Sequence, residues 1–151
     1  MQDPLLWLHS QKADKKTFWR GRDGEENIAG IGETLVFESD HGNSSELMLQ
    51  RLRRLLSSSS EGVRIFGGMR FNLSSDSVSE EWLSWKHSRF VIPEIELIIT
   101  KEGTRLACNV NLAELGDTGR IQELKKLLSG LTEARSRDSS GSTSVSYTHL
   151  R

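Results

Sequence analysis

One cysteine, two prolines and a single tyrosine occur in the 151 residues, and neither sign of charge prevails. Cys108 alone can form no internal disulfide and has no second cysteine for a zinc knuckle, which fits a reducing compartment and predicts a cytoplasmic protein. Lys plus Arg total 20 against 21 for Asp plus Glu, so no net field draws the chain to nucleic acid or to an anionic membrane. No uncharged apolar run approaches the roughly 20 residues needed to span a bilayer. The apolar patch Leu5-Leu6-Trp7-Leu8 lacks a basic flank and a small-residue cleavage site, so it does not read as a signal peptide. What remains is a soluble chain with room for one domain of ordinary size.

Several elements are legible. Asp3 as N-cap and Pro4 at the first helical position open a short helix that should end near Ser10. Thr17 to Arg20 and Asn27 to Glu38 read as extended, and Gly21-Arg22-Asp23-Gly24 between them supplies a hairpin turn. Asn43-Ser44-Ser45-Glu46 resembles a capping box ahead of an amphipathic helix over 44–56, with Met48, Leu52, Leu55 and Leu56 at helical spacing. Val63 to Phe66 predicts a short strand running into Gly67-Gly68, followed by a loop over about 72–81. Phe90 to Thr100 and Arg105 to Asn111 form the clearest hairpin, turning at Lys101-Glu102-Gly103-Thr104. Ile121, Leu124, Leu128 and Leu131 mark a last helix. Residues 136–151, rich in Ser, Thr, Gly and Arg, predict a disordered tail after a single unit over 1–135. Hairpins outnumber crossovers, so the fold class is α+β, a mainly antiparallel sheet with helices packed on it.

Few constellations carry chemistry. Glu94 and Glu96 stand two apart on a predicted strand, on one face, where an acid and a base could sit. With Val91, Ile95, Leu97 and Ile99 on the other face, a solvated polar side accounts for them without chemistry. His9, His41, His87 and His149 are scattered, with no metal-ligand spacing. Asp40-His41 beside a Ser-containing turn does not make a triad, which geometry defines. Gly30-Ile31-Gly32 lacks the third glycine and the following helix of a dinucleotide loop, and like Gly67-Gly68 reads as close backbone packing. Trp7, Trp19, Trp82 and Trp85 with Phe18, Phe66, Phe71 and Phe90 invite a stacking platform, but no basic groove accompanies them and they read as core. Arg51, Arg53 and Arg54 read as the solvent face of the amphipathic helix.

The strings themselves say more. Leu5 to Gln11, then Thr17-Phe18-Trp19-Arg20-Gly21-Arg22-Asp23-Gly24-Glu25-Glu26, then Ala29-Gly30-Ile31-Gly32 resembles the opening of the menaquinone-pathway isochorismate synthases, within the chorismate-utilising enzymes. Val63 to Phe71, and Trp85 followed by Phe90 to Leu97, fit in the same order. The resemblance covers roughly residues 4 to 130, and the ordered series rather than any single block is specific. It implies magnesium-dependent interconversion of chorismate and isochorismate, in menaquinone or siderophore synthesis. In that reaction water attacks one ring carbon while the neighbouring hydroxyl leaves, helped by a lysine base and an acidic partner. Those residues and the metal-holding glutamates belong to the family's C-terminal half, so the resemblance assigns no catalytic, cofactor-binding or metal residue here. It makes that half the packing partner of this chain.

Val145-Ser146-Tyr147-Thr148-His149-Leu150 looks like the translation of a transposon end used in sequencing-library preparation, which predicts a gene cut at this point and a fragment inactive alone. Relatives also usually carry an extra segment ahead of the first helix. Anthranilate synthases share the fold but carry a Leu-Leu-Glu-Ser element, and the nearest string, Leu55-Leu56-Ser57-Ser58, lacks the Glu. Salicylate synthase stays open as a sibling. So does a free-standing, non-enzymatic α+β module that docks a partner through a strand edge or aromatic surface.

Overall fold

A computed structural model of the chain describes residues 3–40, 45–59, 62–71, 86–111, 113, 118–131 and 144–150. Helix α1 (Pro4–Ser10) forms where local chemistry places it. Asp3 Oδ1 accepts the Leu5 N–H at 2.9 Å, and Gln11, in extended backbone, donates from Nε2 to Trp7 O at 2.9 Å. One polar side chain beyond each end of the helix, a carboxylate at the start and an amide at the finish, thus satisfies groups that its first and last turns cannot.

Strands β1 (Lys16–Arg20) and β2 (Asn27–Ile31) make the expected hairpin, pairing Phe18 with Ala29. The extended run then breaks. Gly32 takes φ 70°, a left-handed conformation that costs other residues about 1–2 kcal/mol. Strand β3 (Leu35–Ser39) accordingly leaves for a second sheet. The other long run breaks at the same level. Pro93, with no N–H to offer a ladder, separates β5 (Ser88–Ile92) from β6 (Ile95–Thr100), so the run over 90–100 is two strands in two sheets. The two breaks are tied together: Thr34 N donates to Ile92 O, Glu94 N to Ile31 O, and Thr34 Oγ1 to Asn109 O at 2.9 Å.

Helix α2 (Ser45–Ser58) is amphipathic as read, burying Met48 and Leu52 and exposing Arg51, Arg53 and Arg54. The capping residues Asn43 and Ser44, and the loop over 72–81, lie outside the described residues. Strand β4 is Phe66–Met69, three residues later than the apolar run 63–66 suggested. A Cβ on Gly67 would run into Arg89 O, so this glycine, rather than the apolar run, lets β4 close on β5. Strand β7 (Gly103–Asn111) and helix α3 (Thr118–Ser129) follow.

The five-stranded sheet has the order β1-β2-β6-β7-β8, and the second sheet β3-β5-β4. Every described pairing is antiparallel except that of β7 with β8 (Ser144–Leu150), which is parallel. Composition predicted disorder for this last segment. An edge strand presents unpaired N–H and C=O groups that any extended backbone can meet, and β7 offers such an edge.

Side-chain alternation builds the core. On one face of the large sheet Ala29, Ile31, Ile95, Leu97, Ile99 and Cys108 cluster with Trp7 and Leu8 of α1 and Leu124 of α3. On the other, Ile28, Ile98 and Ala107 meet Phe66 of the second sheet. Strand β6 is therefore covered on both faces, an α+β arrangement in which the second sheet occupies the side that sequence reading gave to solvent.

Candidate functional site

Glu96 pairs across β6 with Gly30 on one side and Ala107 on the other, two small residues that leave space for a carboxyl group. It shares the face of Ile98, under the second sheet, and is 1% exposed. Asn109 Nδ2 donates to Glu96 Oε1 at 2.7 Å and to Pro93 O at 2.8 Å. The other oxygen, Oε2, is buried with no hydrogen-bond donor among the described residues. Its nearest cation is Arg64, whose NH1 stands 4.0 Å away while NH2 donates to Glu26 Oε1 at 2.7 Å. Burial raises the Glu96 pKa to about 7, against the opposing pull of the Asn109 hydrogen bond and the charges of Arg64 and Arg105.

Arg64 stands at the wall of a cleft of about 430 Å³ between the sheets, lined also by Trp19, Glu26, Ile28, Leu56 and Phe66. Residues 63–65, read from sequence as strand, form one side of it. The cleft is mixed in character: two aromatic rings, aliphatic carbon and one arginine–glutamate pair.

The solvated polar side expected for Glu94 and Glu96 is not found. Glu94 is 9% exposed and lies outside β6, paired with Arg120 of α3. Because α3 covers the opposite face from Phe66, the two carboxylates find their partners on opposite sides of the sheet and make no acid–base couple. Glu96, with a pKa near neutrality, has a general acid's proton affinity but not its access. Burial also raises the Cys108 thiol, and the neighbouring Glu94 charge adds to this.

The remaining candidates do not converge. His9 is exposed and His87 buried, whereas His41 lies outside the described residues. Asp40 pairs with Lys86 at 2.8 Å. Trp7 is core as expected, but Trp19 is 43% exposed and Phe71 fully so, and Trp82 and Trp85 lie outside the described residues. Among the described residues there is no group of three or more His, Cys, Asp or Glu that could hold a metal ion. The residues that sequence reading missed are Asn109, Arg64, Glu26 and Arg120. Asn109 left a signal, a polar residue inside the apolar strand run Ala107-Cys108-Asn109-Val110, which requires a buried partner.

A family model described as chorismate binding enzyme matches residues 1–150. The chain belongs to the chorismate binding enzyme family. A search of curated proteins returns no match. For a chorismate binding enzyme, the described residues supply two packed sheets, a covered central strand and a buried polar cluster. No helix among them is long and apolar enough to cross a membrane.

Proposed function

We propose that this chain is the N-terminal portion of an isochorismate synthase, a cytoplasmic enzyme that interconverts chorismate and isochorismate with magnesium. The observation that carries the reading is the family match over residues 1–150, sharpened by the ordered blocks Thr17 to Glu26, Ala29 to Gly32, Val63 to Phe71 and Phe90 to Leu97. In this reading the portion is scaffold. Its sheets and helices support a catalytic half that supplies the lysine base, the acidic partner and the metal-holding carboxylates, and chorismate is the substrate of the two together.

The test has two arms. The purified 151-residue chain, incubated with chorismate and magnesium, is expected to yield no isochorismate above a no-protein control, and turnover would overturn the scaffold role. The gene is then read in uncut DNA downstream of Ser144 and the continuous frame expressed. Isochorismate as its chromatographic product supports the proposal, whereas salicylate or anthranilate would move the chain to a sibling synthase. A frame that closes at Arg151, with no chorismate chemistry, would leave a non-enzymatic docking module.

A further inference from the structure

Three observations meet at the wall of the cleft. Glu96 Oε2 is buried with no hydrogen-bond partner among the described residues, Arg64 NH1 is 4.0 Å from it, and Arg64 belongs to the segment over 62–65 that leads into β4 of the second sheet. That distance is about 1 Å beyond hydrogen-bond range, so a small movement of the segment completes the contact. On the outer side Arg64 has two described polar contacts. Arg64 is held there by Glu26, which is about one-third exposed, and by a bond from NH1 to Gly62 O at 3.0 Å within the same segment. On the inner side the next residue after Ile65 is Phe66, which packs on Ile28, Ile98 and Ala107 of the large sheet. A pull on Arg64 therefore draws the cleft wall towards that sheet.

We propose that Arg64 is a latch between the two sheets, closing on Glu96 when that carboxyl loses its proton and releasing when it regains it, so that the width of the cleft follows one protonation event. The physical drive is asymmetry in what each form needs. A protonated Oε2 leaves only one neutral donor unsatisfied, whereas an ionised, buried carboxylate demands a cationic donor. The charged or polar groups facing Glu96 among the described residues are Asn109 and Arg105 on β7, Arg64 on the 62–65 segment and Glu26 ahead of β2; Gly30, its partner on β2, carries none. Of the two arginines, only Arg64 lies within ion-pair distance of Oε2 and also lines the cleft. The latch does not depend on which chorismate reaction the family member performs.

Trp19 lines the cleft and reports on it. Acrylamide quenching of the full chain, with a Trp19→Phe protein subtracted to isolate this residue, is measured from about pH 5 to about pH 9, on either side of the neutral range where burial places the Glu96 proton. Quenching of Trp19 is expected to fall as pH rises through about 7, and this fall is expected to be lost in Glu96→Gln and in Arg64→Met. Carbon-13 spectra of the glutamate carboxyls separate the two variants: Arg64→Met keeps a Glu96 resonance titrating near or above its wild-type midpoint, although the cleft no longer responds. A pH-independent Trp19, or a response that survives in either variant, overturns the latch.

Discussion

Glu96 ties proton binding to folding at a single residue. An unfolded glutamate titrates near 4.5 and the folded one near 7, so between those values the folded state holds a proton that the unfolded state has lost. Folding is then favoured by acid. Stability is greatest below the unfolded value, falls as pH rises through the window, and levels off above about 7, by at most about 3 kcal/mol in total. This runs opposite to the usual carboxylate in an ion pair. Urea unfolding at about pH 5 and about pH 8 is expected to show the loss, and Glu96→Gln to flatten it while keeping an acceptor for Asn109. A variant still as pH-sensitive as wild type would place the titration elsewhere. Removing Asn109 acts on the same cluster from its other side. Asn109→Ala leaves Pro93 O and Glu96 Oε1 without the Nδ2 donor, and is expected to lower stability by about 1–3 kcal/mol in urea unfolding.

At the scale of elements, the decisive feature is that two strand runs break side by side. Gly32 and Pro93 let β2 and β6 stay in the large sheet while β3 and β5 form the small one, and the Thr34 and Glu94 bonds hold the two breaks together. A Cβ at Gly32 would meet the Glu94 carboxylate and dislodge it from Arg120. Gly32→Ala is therefore expected to cost about 1–2 kcal/mol from the backbone alone, seen as a lower urea midpoint, and an unchanged midpoint would mean that the break tolerates a side chain. Sequence showed α1, the first hairpin and α2 because their determinants are local: Asp3 and Pro4 at one helix start, the Gly-Asp-Gly turn, and leucines at helical spacing. It did not show the breaks, since residues on both sides of each are β-formers and only bonds distant in sequence assign them to different sheets. The burial of Glu94 and Glu96 was hidden for the same reason. Alternation told which way they point but not that a second sheet or α3 waits there.

At the scale of the molecule, the described residues leave apolar carbon on several sides. Leu5 and Leu6 of α1, Trp19 of β1, Val36 of β3, Leu47 and Leu56 of α2, and Phe71 beyond β4 are all substantially exposed. Under the proposed scaffold role, surfaces of this kind face the catalytic half. Leaving about 400 Å² of apolar surface uncovered forgoes about 10 kcal/mol, comparable to the whole net stability of a domain. The isolated chain is then expected to associate as its concentration rises, through these patches and through the outer edge of β1, and to unfold over a broad range. Sedimentation velocity reads the first and thermal unfolding the second. Phe71→Ser isolates the surface contribution, because this ring is fully exposed and its loss removes no packing within the chain. The variant should sediment closer to the monomer at the same concentration with an unchanged unfolding midpoint. A wild-type chain that stays strictly monomeric and unfolds in one sharp transition would instead describe a self-sufficient module, and would count against the scaffold role on which the expectation rests.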